Sequence, residues 1–170
     1  MNDLKDVIRL IIFDWGDTLM RDYPGKTGPM YTWDHVECIE GIPEMLAYLH
    51  SRYTLCVATN AGVSDTEAMR KALRRVNIEH YFSGFFSSKD LGVAKPDPRF
   101  FQNICAEMNV EPHHSLMIGN DYEKDICGAY QAGMFTVLFR EKEIGSDLVD
   151  GDFSKAQKVI HNLFELKKLL

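Results

Sequence analysis

Residues 11–20 read IIFDWGDTLM. An apolar run beginning near Val7 breaks at Asp14, and a second acid, Asp17, follows three positions later with Gly16 between them. The run has the length and the β-branched and aromatic content of a strand, so Val7–Phe13 reads as a buried one. A carboxylate at the end of a buried strand has two readings: it caps the turn that follows, or it faces a ligand.

The rest of the chain repeats the pattern. Pro43–Ser51 reads as a helix with proline in its first turn, and Tyr53–Ala58 as a second strand. Ser64 reads as the N-cap of a helix running to about Val76, with Glu67 completing a capping box. Gly84–Ser87 is a short third strand. Asp97–Met108 and Tyr122–Ala132 read as helices, Ser115–Ile118 and Met134–Phe139 as strands. In the tail, Ala156, Val159, Ile160, Leu163 and Leu170 fall on one helical face. Strands alternating with helices predict an α/β fold, a mainly parallel sheet between two helical layers in the Rossmann-like manner.

Bulk properties narrow the function. A net charge of −6 argues against a nucleic-acid partner held by a basic surface. No apolar stretch is long enough to span a membrane. The opening residues, MNDLKDVIRL, lack a signal-peptide pattern, so a cytoplasmic location is expected. Cys38, Cys56, Cys105 and Cys127 form no CxxC pair and read as reduced, mostly buried thiols. His113 and His114 follow Pro112 in a loop and read as surface residues.

In a parallel sheet, ligands bind beyond the carboxyl ends of the strands. Polar residues collect there: Asp14 after the first strand, Thr59 and Asn60 after the second, Lys95 after the third, and Asn120, Asp121 and Asp125 after the fourth. Taken singly, each has an ordinary role as a turn residue, a helix cap or a solvated charge. Together they describe one chemistry. Carboxylates from two strand ends suit Mg2+, a hard cation that takes oxygen ligands. Thr59 and Lys95 suit phosphate oxygens. A carboxylate beside both can act as a nucleophile.

Four segments, IIFDWGDTL, LCVATNAG, FSSKDLGVAKPDPRFF and LMIGNDYEKDICGAYQAGM, resemble in order the motifs of the haloacid dehalogenase (HAD) superfamily. The resemblance covers nearly the whole chain. It implies a magnesium-dependent hydrolase, usually a phosphatase, with Asp14 as nucleophile and Lys95 as the third-motif lysine. Thr18, Thr59, Asn60 and Lys95 are then the expected substrate-side residues, Thr18 also bracing the Asp14 loop. The expected metal ligands are Asp14, the backbone carbonyl of Gly16, Asn120, Asp121 and Asp125.

The sequence departs from the family pattern at three places. The usual general acid, two residues after the nucleophile, is Gly16 here, with Asp17 one position beyond. Asp17 is a candidate catalytic group, but a side chain displaced by one residue tends to point away, and bonding within the turn is its expected role. The first acid of the fourth motif is Asn120, which brings an amide oxygen without charge. Only about two dozen residues, 20–42, stand where relatives insert a cap. A single domain over 1–170 is therefore expected, capless or minimally capped. Tyr23, Lys26, Tyr31 and Trp33 in the insert either touch substrate or pack the insert down.

The expected partner is a phosphorylated substrate, small molecule or macromolecule, and a homo-oligomer could cover the site. Carbon–halogen or carbon–phosphorus hydrolysis, or phosphate or partner binding without catalysis, are the alternatives.

Overall fold

The computed structural model describes residues 4–60, 62, 64–141 and 151–170. Six parallel strands form one sheet: β1 (Leu10–Phe13), β2 (Thr54–Thr59), β3 (Gly84–Ser87), β4 (Ser115–Gly119), β5 (Phe135–Phe139) and β6 (Lys158–Ile160). Their order is β3-β2-β1-β4-β5-β6. The helices are α1 (Leu4–Val7), α2 (Ile42–Leu49), α3 (Thr66–Arg75), α4 (Ser88–Leu91), α5 (Pro98–Glu107) and α6 (Gly128–Gln131), the last preceded by a π-helical stretch over Tyr122–Cys127.

The strands are apolar throughout because both faces are covered. Ile11, Phe13, Val57 and Ile118 face a core shared with Met45 and Leu49 of α2 and Met69 and Leu73 of α3. Leu10, Ile12, Ala58 and Met117 face the opposite core, built on Phe100, Phe101 and Ile104 of α5. This is the expected α/β three-layer arrangement.

Three local expectations are corrected. The first strand begins at Leu10, not Val7, because residues 4–7 form a helical turn in which Ile8 N–H donates to Leu4 O at 2.9 Å. The Val7 carbonyl accepts from His114 Nδ1 at 2.8 Å, so His114 is half-buried and structural, not a plain surface residue. The N-cap of α3 is Asp65, whose side chain accepts from Ala68 N–H at 2.9 Å, and Ser64 is buried instead. That shift moves Glu67 out of capping-box register, and it pairs with Arg74 at 3.4 Å.

The tail carries a strand where a helix was expected. Val159 and Ile160 pair with Leu138 and Phe139 of β5. Asn162 then caps a 3₁₀ turn over Leu163–Lys168 through a capping box with Glu165. Leu163, Leu166 and Leu170 bury themselves against the core with the same spacing a helix would show.

The cysteine reading holds: all four are free, and burial pushes the Cys56 thiol up to about 12. No helix among the described residues is long and apolar enough to cross a membrane.

Register positions the site. Phe13 pairs with Val57 on one side and Ile118 on the other. The next residue, Asp14, therefore emerges between the ends of β2 and β4, and its N–H still donates to Ile118 O at 2.9 Å. The chain reverses its winding direction between β1 and β4, which opens a crevice at their carboxyl ends.

Candidate active site

A cleft of about 400 Å³ sits in that crevice, with Asp14, Thr59, Lys95, Asn120 and Asp125 among its walls. Its floor is an ionic triad. Lys95 Nζ donates to Asp14 Oδ1 at 2.7 Å, to Asp125 Oδ1 at 2.7 Å and to Ala58 O at 3.2 Å. Burial opposes the charge on Lys95, but the two carboxylates outweigh it and hold the ammonium above the ordinary lysine range. Burial first, and repulsion from Asp14 second, raise the Asp125 carboxyl against the pull of Lys95. Two carboxylates against one ammonium leave net negative charge below the cleft, a setting that attracts a cation.

Each member is held locally. Asp125 lies flat against the end of β4, where a Cβ on Gly119 would fall 2.3 Å from Asp125 Oδ2, so only glycine fits. The same oxygen accepts from Asp121 N–H at 3.0 Å. Thr18 is fully buried and donates to Asp14 Oδ2 at 3.2 Å. It braces the Asp14 loop from beneath the cleft lining.

Asn60 lines the cleft and also engages the third-motif lysine. Its amide donates to Lys95 O at 2.7 Å and accepts from Lys95 N–H at 2.9 Å. Both ends of the amide clasp the lysine backbone, so Asn60 positions Lys95. Asn60→Asp would set a carboxylate oxygen against the Lys95 carbonyl. The expected result is a loss of ~1–3 kcal/mol in stability, measured by denaturant unfolding, together with lower turnover.

At the opposite oxygen of Asp14 the remaining groups converge. With its nitrogen facing these acceptors, the Asn120 amide donates to Asp14 Oδ2 at 3.0 Å, Thr18 Oγ1 at 3.2 Å and Gly16 O at 3.3 Å. Asp14 Oδ2 and the Gly16 carbonyl are thus within reach of one point, and rotation of the Asn120 amide adds a third oxygen. Three convergent hard oxygens beside a negative triad fit Mg2+. Among the described residues no three His, Cys, Asp or Glu side chains gather in this way, so a carbonyl and an amide complete the set.

Asp121 also lines the cleft. Its side chain caps the following helical stretch, accepting from Lys124 N–H at 2.9 Å, and lies 3.3 Å from Lys124 Nζ. Partial burial opposes its ionisation, and the Lys124 hydrogen bonds outweigh that and hold the carboxyl below the usual carboxylate range.

Asp17 has a left-handed φ of 55° and folds back into the turn, where Oδ1 accepts from Asp22 N–H at 3.0 Å. Asp22, which no motif marks, lines the cleft beside Gly16. Only the turn brings it there: Gly16 bridges to Met20, and Asp17 N–H donates to Met20 O at 2.7 Å.

Of the insert residues singled out, Trp33 reaches the cleft, its ring fixed by Nε1 donating to Thr27 O at 3.1 Å and Gly28 O at 3.2 Å. Tyr31 packs the insert down, under Lys71 at 5.1 Å from its ring. Tyr23 hydrogen-bonds Glu37, and Lys26 lies 4.0 Å from Asp34.

Residues 11–139 match the family model described as haloacid dehalogenase-like hydrolase. The chain belongs to the haloacid dehalogenase-like hydrolase family. It is 32% identical over 104 residues to a glyceraldehyde 3-phosphate phosphatase of Methanothermobacter thermautotrophicus, a match covering 58% of this chain and 44% of that protein. It is 36% identical over 104 residues to a phosphoserine phosphatase of Thermus thermophilus, covering 58% and 41%. The matches thus span less than half the length of these two relatives. An uncharacterized protein from Listeria monocytogenes serotype 4b has the same fold, with a TM-score of 0.79 at 22% identity over 95% of this chain and 96% of that one.

Proposed function

We propose that this chain is a magnesium-dependent phosphatase that hydrolyses a phosphate monoester through an aspartyl-phosphate on Asp14. The observation that carries the reading is the pinned nucleophile. Lys95 holds one oxygen of Asp14 at 2.7 Å, and Thr18 and Asn120 approach the other, at the base of an accessible cleft. A carboxylate immobilised at a strand end is prepared for attack on phosphorus. The phosphatase names of the two curated relatives support the same reading.

In this reading Asp14 attacks phosphorus, and water then releases phosphate from the acyl-phosphate. Lys95 offsets charge on the transferring group, and the Thr59 hydroxyl at the cleft wall binds a phosphate oxygen. Asp14, Gly16 O and Asn120 would hold Mg2+, with Asp125 contributing charge from behind Lys95. The bound ion supplies charge neutralisation and orientation of the phosphoryl group. The partner is a phosphorylated substrate that enters past Trp33 without a separate cap domain, and the site of action is the cytoplasm.

The test is phosphate release from a panel of phosphorylated metabolites, nucleotides and phosphopeptides, with magnesium and with chelator. Magnesium-dependent turnover of at least one is expected; no turnover of any member overturns the reading. A second prediction concerns the metal. In Asn120→Asp, carboxylate oxygens would face Asp14 Oδ2 and Gly16 O with no donor between them, a repulsion that a divalent cation relieves. Magnesium affinity by calorimetry is expected to rise about tenfold, and the magnesium-induced rise in melting temperature to exceed that of the wild type. Unchanged affinity would mean that residue 120 is not a ligand.

A further inference from the structure

The alcohol of an alkyl phosphate leaves as an alkoxide unless a proton reaches the departing oxygen, and a positioned acid contributes ~10²–10⁴-fold to that step. The side chains around the cleft narrow the choice. Lys95 and Asp125 are locked in the buried triad. Asp121 and Lys124 are paired with each other. Asp17 is bonded into its turn and lies 4.0 Å from Arg21. Asp22 remains. It is exposed, lines the same cleft as Asp14, and its carboxylate makes no hydrogen bond or ion pair among the described residues.

Its position is specific. A Cβ built on Gly16 would lie 3.7 Å from Asp22 Oδ2 and 3.7 Å from Asp22 Cβ. The space that a side chain on residue 16 would enter is therefore bordered by the carboxylate of residue 22. Gly16 needs no left-handed backbone, so its missing side chain is what leaves that space to Asp22. The turn holds Asp22 through its main chain, by the N–H that donates to Asp17 Oδ1, and leaves the carboxyl group free to act.

We propose that Asp22 is the catalytic general acid and base, supplied from the insert in place of a side chain at residue 16. The assignment rests on the phosphatase reading. In the first step a bond forms between Asp14 and phosphorus, the phosphorus–oxygen ester bond breaks, and the proton of the Asp22 carboxyl passes to the leaving oxygen, releasing the alcohol. In the second step Asp22 carboxylate takes a proton from water as that water attacks phosphorus. The acyl-phosphate bond breaks, and inorganic phosphate, Asp14 carboxylate and protonated Asp22 result.

The test compares alkyl phosphates with nitrophenyl phosphate, whose leaving group needs no proton, in wild type, Asp22→Asn and Asp17→Asn. Asp22→Asn keeps the main-chain bond and removes no side-chain contact, so its melting temperature should match the wild type. It is expected to lower the alkyl-to-aryl ratio of kcat/KM by ~10²-fold or more. Asp17→Asn disturbs the same turn and should lower both substrates together. Adding Gly16→Asp to Asp22→Asn is expected to recover much of the alkyl rate, because a carboxyl on residue 16 enters the space beside residue 22. An unchanged ratio in Asp22→Asn, with the wild type active, overturns the assignment and leaves the phosphatase reading standing. Absence of wild-type turnover on every ester overturns both.

Discussion

Asp14→Asn is expected to lower turnover on the order of 10⁴–10⁶-fold, the scale seen when a catalytic nucleophile is removed, while the protein stays folded. An amide cannot form the acyl-phosphate, so residual hydrolysis would come only from binding and charge offset by the remaining groups. The fold survives because the asparagine oxygen can still accept from Lys95 Nζ, and its nitrogen can donate to the Asn120 amide oxygen once that amide rotates. The substitution also leaves Lys95 and Asp125 as a balanced buried pair. The melting temperature is therefore expected to equal or exceed the wild type, which separates lost chemistry from lost structure. Activity within tenfold of wild type would remove Asp14 from the mechanism.

Lys95→Met should have the largest effect on stability. Methionine has similar length but no charge, and the change leaves the Asp14 and Asp125 carboxylates side by side and uncompensated. Removing one partner of a buried ion pair costs ~3–5 kcal/mol. The loss should depend on pH. Unpaired buried carboxyls have folded-state pKa values raised above their unfolded values, so the folded state binds more protons as pH falls. The stability deficit relative to wild type is therefore expected to shrink toward low pH and to be largest near neutrality. Adding Asp125→Asn should restore much of it at neutral pH. Denaturant unfolding at several pH values measures this, and a deficit that does not vary with pH would show that the triad is not the source. Turnover should be lost in Lys95→Met at every pH.

The two predictions draw on features of unequal visibility in the sequence. Asp14, Thr59, Lys95 and Asn120 were legible because each follows a strongly apolar strand, and a parallel sheet aligns strand ends. Phe13 pairing with both Val57 and Ile118 aligns three of these strand ends, and Thr59 pairing with Ser87 adds the fourth, from which the chain runs through α4 to Lys95. Features set by side-chain geometry were not legible. Position alone does not reveal that the Asn60 amide, at the cleft wall, also clasps the Lys95 backbone across 35 residues of chain. Ser64 and Asp65 are both good caps, and burial of Ser64 decides between them. The tail misleads because Ile160, Leu163 and Leu170 satisfy helical spacing, while β5 offers an edge that a strand can join. Asp22 carries no local signal, since only the turn from Gly16 to Asp22 returns it to the cleft.

The covalent role of Asp14 is open to direct measurement. The wild-type enzyme, mixed with magnesium and a phosphate ester that it turns over, is quenched in acid within the first turnover. Its peptides are then mapped by mass spectrometry. A phosphoryl group on Asp14, absent from Asp14→Asn treated in the same way, is the expected result. A phosphoryl group on Asp17 or Asp121, or full turnover with no acyl-phosphate on Asp14 at any quench time, would contradict it.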